Sequence, residues 1–133
     1  MSKMAELVGA SRQSRANART LLDGALKASS DVIALAKDLF AIVSVLDSSA
    51  ALRRALTDPS RASADKSALV SGLLGSKFSA AAGELVAKLA EMRWSGPSDL
   101  ADVLEQLAIE AEASAANVAG ELDRLEDELF ALS

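Results

Sequence analysis

Three carboxylates near the start of the last predicted helix are the side chains best suited to catalysis. Asp99, Asp102 and Glu105 could in principle act as general acids or bases. The chain contains no His, Cys or Tyr, so it lacks the commonest general base and any thiolate metal ligand. No second catalytic group accompanies these carboxylates, and acidic residues in the first turn of a helix complement its dipole. We therefore expect no catalytic site, no metal and no cofactor.

A second stretch invites comparison with a phosphate-binding loop. The sequence GLLGSKFS covers residues 72–79, whereas the phosphate-binding motif needs four residues between its glycines, followed by Lys and then Ser or Thr. Here two residues separate Gly72 from Gly75, Phe78 follows Lys77, and no predicted strand precedes the segment. We interpret it as the glycine-containing end of a helix.

Turn-forming residues divide the chain into six predicted helices. Alanine is abundant and there are only two prolines, a composition that favours helix. Residues 1–10 are expected to be frayed or to form a short helical lead-in. The predicted helices cover residues 11–28, the segment from the cap at 29–31 to Leu46, residues 49–57, the segment between the polar turn at 60–63 and Leu74, residues 79–94, and everything from Pro97 onward.

The second predicted helix should form the centre of the bundle. Its apolar residues recur at helical spacing, and Ile33 and Phe40 widen the stripe, so this helix should be buried on most sides. Pro59 should end the third helix because the residue before a proline is disfavoured in the helical conformation. The stripe of the second helix consists of Leu35, Leu39, Ile42, Val43 and Leu46.

Apolar spacing predicts inward faces for the remaining helices as well. Trp94 should close the core at the end of the fifth helix, and Arg12, Arg15 and Arg19 should form a solvated or interface rim on the first. The expected inward residues are Ser11, Ala18, Leu22 and Ala25 in the first helix, Leu52, Ala55 and Leu56 in the third, Ala64, Ala68, Leu69 and Leu73 in the fourth, and Leu100, Val103, Leu104, Leu107, Ala108 and Ala111 in the sixth.

The overall composition indicates one soluble helical domain with a core of small aliphatic side chains. Half of the 133 residues are hydrophobic but only 3% are aromatic. No apolar run reaches the roughly 18 residues that a membrane span needs, and the N-terminus lacks the apolar core of a signal peptide. We therefore expect a protein on the cytosolic side with no direct insertion into the membrane.

Charge is distributed unevenly along the chain. Residues 1–98 carry 13 basic and 9 acidic side chains, whereas residues 99–133 carry one Arg and 10 acidic side chains. The acidic end either faces a basic partner or is a solvated helix surface, and both interpretations remain open. An acidic chain without aromatic residues among its arginines is not expected to bind nucleic acid.

The end of the chain carries a narrow apolar seam and an apparent internal repeat. The segments LAKDLFAIV (residues 35–43) and LEDELFALS (residues 125–133) align without gaps and share four identities in nine positions. We interpret residues 1–112 as a helical bundle domain and residues 113–133 as a linker that begins a second repeat. A seam spaced four, three, four and three is typical of a helix that pairs with one other helix, and it consists of Val118, Leu122, Leu125, Leu129 and Leu132.

Several phrases in the right order give this chain a family resemblance. LDSSAALRRALTDPSR, followed by LLGSKFSAAAGELVAKLAEMRWSGPSDLADVLEQLA, resembles the delta subunit of bacterial F-type ATP synthase, the counterpart of the mitochondrial oligomycin-sensitivity-conferring protein. The elements LRRALTDPS and RWSGPSDL resemble the actinobacterial branch, whose delta subunit is longer and internally duplicated. The resemblance covers residues 11–133 and implies an all-α fold, a six-helix bundle followed by a long C-terminal helical extension.

The resemblance also implies a function as a stator connector without catalytic activity. In that family the bundle binds the N-terminal helix of an alpha subunit in a groove between its first and fifth helices, and the C-terminal part binds the b subunit of the peripheral stalk. The complex lies at the cytoplasmic face of the cell membrane. An aromatic residue found near Ser14 in many relatives is absent here. Carried over to this sequence, the expected groove residues are Ser14, Ala18, Leu21, Ala25, Ala81, Leu85, Lys88 and Met92.

One alternative from another class remains open. A homo-oligomeric helical scaffold, held together by a coiled coil of its acidic tail, would have the same composition and the same apolar seam. The concentration dependence of sedimentation separates the two, because the stator interpretation requires no self-association of residues 1–110.

Overall fold

Capping residues and prolines determine where the helices begin and end. The computed structural model describes the backbone of residues 3–132 and the side chains of residues 11–131. Throughout that part of the chain the regular structure is helical, which confirms the predicted fold class. The six helices are α1 (Lys3–Ala28), α2 (Val32–Asp47), α3 (Ala50–Thr57), α4 (Ser63–Leu74), α5 (Ala80–Glu91) and α6 (Asp99–Leu132).

Short polar side chains cap three of these helices at their N-termini. The Asp31 carboxylate accepts the Ala34 N–H at 2.9 Å, and the Ser49 hydroxyl accepts the Leu52 N–H at 3.1 Å. Ser79 caps α5 in the same way. These bonds satisfy backbone N–H groups that have no partner within the helix. Because such capping residues can be recognised in the sequence, the starts of these three helices were predicted closely.

The core lies mainly between α2 and the first half of α6. These two helices make the most extensive contact in the bundle, and α1, α3 and α5 pack around them. All five residues of the predicted α2 stripe are buried, and all six of the predicted inward residues of α6 are buried too. The predicted core of this pair is therefore confirmed.

The prediction that α2 is buried on most sides is wrong. Ile33 is 50% exposed and Val45 is 36% exposed, so one face of α2 remains at the surface.

The backbone carbonyls of Leu46 and Asp47, at the end of α2, accept hydrogen bonds from the Arg53 guanidinium at 2.6 and 2.9 Å. Arg53 is half-buried because its guanidinium caps the end of α2.

The inward face of α4 also differs from the prediction. Ala64, Ala68 and Leu73 are exposed, and Leu69 is only half-buried. The buried stripe instead consists of Lys66, Val70 and Leu74, and α4 packs chiefly against α5. A lysine can bury its aliphatic stem while its ammonium group reaches a polar partner, so a hydrophobic pattern alone does not find this stripe.

The fifth helix ends at Glu91, before the predicted end at Trp94. Met92 is extended, and its carbonyl accepts a hydrogen bond from the Lys66 ammonium at 2.9 Å. Ser63 donates to the Glu91 carbonyl at the same distance. Side chains in the first turn of α4 thus donate hydrogen bonds to backbone carbonyls that would accept bonds within the helix if α5 were longer.

Trp94 closes the core beside this helix end, as predicted. Its side chain is buried, and its indole N–H donates to the Leu89 carbonyl at 2.9 Å. The turn that follows contains Pro97, and α6 begins at Asp99 rather than at the proline. No helix in the described residues is long and apolar enough to span a membrane.

Candidate helix-binding groove

An open groove of about 380 Å³ runs between α1 and α5. Small residues make much of its wall, and a Cβ at Gly24 would meet no atom within 4 Å outside the surrounding backbone of α1. Glu84 and Lys88 are exposed and give the rim one charge of each sign. The residues that line the groove are Thr20, Leu21, Gly24, Ala25, Ala28, Ser29, Ala81, Glu84, Leu85 and Lys88.

Five of the eight residues expected at the groove line it. Leu21, Ala25 and Ala81 are half-buried, Leu85 is buried and Lys88 is exposed. They combine partly accessible apolar surface with a polar edge. This is the pattern that an amphipathic helix requires of a groove that binds it.

The other three expected residues lie elsewhere. Ser14 is buried and its hydroxyl donates to the Arg93 carbonyl, while Ala18 is completely buried in the core. Met92 is half-buried at the end of α5. Together with Leu22, Ser14 and Ala18 form a stripe spaced by four residues that packs α1 onto the bundle.

The outer part of the α1 wall was not among the residues expected at the groove. Thr20, Gly24 and Ala28 are spaced by four residues and lie beside the predicted positions Leu21 and Ala25. Spacing alone could have suggested this stripe because residues four apart share one helix face. Which of the two adjacent stripes faces the groove depends on the rotation of α1 about its axis. Packing against the other helices sets that rotation.

A polar network joins the start of the described part of α1 to the turn before α6. The Ser11 hydroxyl donates to the Asp99 carboxylate at 2.7 Å and accepts the Ser95 N–H at 2.6 Å. The same Asp99 oxygen accepts the Gly96 N–H at 3.0 Å. Asp99 therefore serves as a structural cap rather than as a free carboxylate.

The three carboxylates considered for catalysis all lie near the start of α6. Asp102 and Glu105 are exposed, and no group of metal-binding side chains occurs among the residues that the structure describes. Burial lowers the pKa of Lys66, and its hydrogen bond to a backbone carbonyl gives it a structural role.

Comparison with known proteins identifies the family. The family described as ATP synthase delta (OSCP) subunit matches residues 14–129. The chain belongs to this family. The match covers α2 to α5 completely and most of α1 and α6, so it includes both walls of the groove. The family resemblance noted in the sequence is thereby confirmed.

Actinobacterial proteins named ATP synthase subunit delta are similar to this chain. The protein of Beutenbergia cavernae is 51% identical over 98 residues, which are 74% of this chain and 36% of the relative. Those of Kineococcus radiotolerans and Streptomyces avermitilis are 46% and 45% identical over 123 residues, 92% of this chain and 45% of each relative. The chain thus spans less than half the length of these relatives.

Proposed function

We propose that this chain is part of the stator connector of an F-type ATP synthase and has no catalytic role. In this proposal the groove between α1 and α5 binds the N-terminal helix of an alpha subunit, and the b subunit of the peripheral stalk binds mostly through other parts of the delta subunit. The connector would lie at the cytoplasmic face of the membrane and hold the catalytic head against rotation.

The observation that carries the proposal is the open groove between two helices that are themselves packed on the core. Leu21, Ala25 and Leu85 offer apolar contacts, while Glu84 and Lys88 offer polar contacts at the rim. An amphipathic helix could bury its apolar face there without leaving polar groups unpaired. The small residues along α1 would allow the backbone of the bound helix to approach α1 closely.

A substitution that fills the groove tests this proposal. Ala81→Phe places a ring in the groove, so the affinity for an alpha-subunit N-terminal peptide should fall at least about tenfold, or ~1.4 kcal/mol. Ala87→Phe is the matched control, because Ala87 is also half-buried on α5 but lines the cleft toward α4. Isothermal titration calorimetry measures both affinities, and circular dichroism checks that both variants fold.

Two results would contradict the proposal. One is that the unsubstituted chain does not bind the peptide at high micromolar concentration. The other is that Ala81→Phe binds as tightly as Ala87→Phe, which would place the peptide outside the groove between α1 and α5.

A further inference from the structure

The last part of α6 presents an apolar seam that the described bundle does not cover. Its buried stripe continues with alternating spacings of four and three, but the described residues beyond Ala115 are not buried. Leu132, the last residue of the predicted seam, has a side chain outside the described residues. Along the described seam, Val118, Leu122, Leu125 and Leu129 are 40%, 53%, 51% and 58% exposed.

The seam has the geometry of one strand of a coiled coil. Its spacing assigns Leu122 and Leu129 to heptad position a, and Val118 and Leu125 to position d. Since the same stripe is buried as far as Ala115, the heptad pattern is continuous from the bundle into the tail. A partner helix would therefore extend the packing that already exists.

Acidic residues occupy three of the four e and g positions that flank this seam, and Ala119 occupies the fourth. Glu121 and Glu128 fall at position g, and Glu126 falls at position e. Among the described residues the single ion pair joins Arg19 to Glu110, so none of these three carboxylates is paired within that part of the chain. Side chains at e and g determine which partner a coiled coil accepts.

These charges disfavour a second copy of the chain as the partner. A parallel pair would place Glu121 of one copy beside Glu126 of the other, and an antiparallel pair would also bring acidic flanks together. Arg124 is the one basic residue of α6, and it falls at position c, away from the seam. Self-association would thus bring like charges together on both sides of the seam.

The internal alignment with α2 indicates how wide a surface on the tail a partner could cover. In the internal alignment, Leu125 and Leu129 correspond to the buried Leu35 and Leu39, but Glu126 replaces the buried Ala36. A carboxylate at this position would be costly inside a bundle. The tail therefore fits one helix along a narrow seam rather than the interior of a second core.

We propose that residues 118–129 form a docking surface for a single helix of another protein, with apolar residues at a and d and Lys or Arg at e and g. Apolar burial supplies affinity, and the charged flanks select the partner and its register. This surface lies outside the groove between α1 and α5, and the inference does not depend on the proposed function.

Two synthetic peptides of about three heptads test the charge requirement. Both carry Leu at a and d, and one has Lys at e and g while the other has Glu. The Lys peptide should bind the whole chain at least about tenfold more tightly by fluorescence anisotropy at low salt. The difference should shrink at high salt, because salt screens exposed charges.

Two double variants with the same change in net charge distinguish recognition along the seam from non-specific electrostatic attraction. Glu126→Lys with Glu128→Lys changes positions e and g, and should reverse the preference toward the Glu peptide. Asp123→Lys with Asp127→Lys changes positions b and f, and should leave the Lys peptide preferred. Equal binding of both peptides, or binding of neither, would overturn the proposal.

Sedimentation of the chain tests the second copy as an alternative occupant. The proposal expects a monomer at concentrations where the Lys peptide binds. A dimer that Leu125→Asp converts to monomer would show that the seam pairs with itself, and would overturn the proposal.

Discussion

Lys66 is a charged side chain that the fold places almost completely out of solvent, at 4% exposure. Its ammonium donates to the Met92 carbonyl at the end of α5, where a positive charge is favourable because carbonyl groups there lack partners. Desolvation nevertheless lowers its pKa below the ordinary value of 10.5, with Arg93 also lowering it and Asp58 opposing the shift.

This shift predicts a pH dependence of stability at alkaline pH. The folded chain releases the Lys66 proton at a lower pH than the unfolded chain, so the unfolded state binds more protons in that window. The contribution of Lys66 to the free energy of unfolding should therefore increase as pH rises toward 10.5. Urea denaturation from pH 8 upward should show the original chain gaining stability relative to Lys66→Met. Parallel pH curves for the original chain and Lys66→Met would refute this prediction.

Other residues show how far single positions can be predicted. The family resemblance implied Leu85 and Ala25 at a groove between the first and fifth helices, and both line the open space between α1 and α5. The resemblance also implied Ser14 there, but a serine can equally bond a neighbouring carbonyl, and here its hydroxyl donates to the Arg93 carbonyl. Its role depends on where the end of α5 lies, and nothing in the local sequence gives that position.

At the scale of elements, the pairing of α2 with α6 organises the core. Asp31 and Ser49 cap helix starts, and the extended Asp58 before Pro59 separates α3 from α4. These local signals act within a few residues, so the sequence predicted most helix boundaries. The end of α5 depends on Lys66 and Ser63 from another helix, so local signals could not predict it.

Removing a large side chain from this pair should strongly destabilise the fold. Leu39 is completely buried in α2, so Leu39→Ala should lower the free energy of unfolding by about 2–5 kcal/mol through lost burial and a cavity. Ile33→Ala, on the same helix at 50% exposure, should cost about half as much or less. Urea denaturation measures both. A loss below about 0.5 kcal/mol for Leu39→Ala would contradict the central position of α2.

At the scale of the whole molecule, the first and sixth helices each have two roles. α1 packs on the core through Ala18 and Leu22, and it also forms one wall of the groove. α6 completes the core and continues as an acidic helix with an exposed seam. The helical fold could be predicted because it follows from composition and periodicity, and the uneven charge is read directly from the sequence. The rotation of α1 relative to α5 could not be predicted, because it follows from packing across the bundle. That rotation determines which residues line the groove.

The division into a bundle at residues 1–112 and a linker at residues 113–133 stays a prediction. α6 runs without a break from Asp99 to Leu132, and Ala115 is the last buried residue among those described. The change from buried to exposed apolar residues is compatible with a boundary near that position.

The most direct test of helix binding in the groove is an NMR titration of the isotopically labelled chain with an alpha-subunit N-terminal peptide. If the groove binds the peptide, the largest amide shifts should occur at residues 20–29 and 81–88, on its two walls, while residues 118–129 should change little. Shifts confined to the end of α6, or to the α4 side of α5, would contradict the claim that the groove between α1 and α5 binds the partner helix.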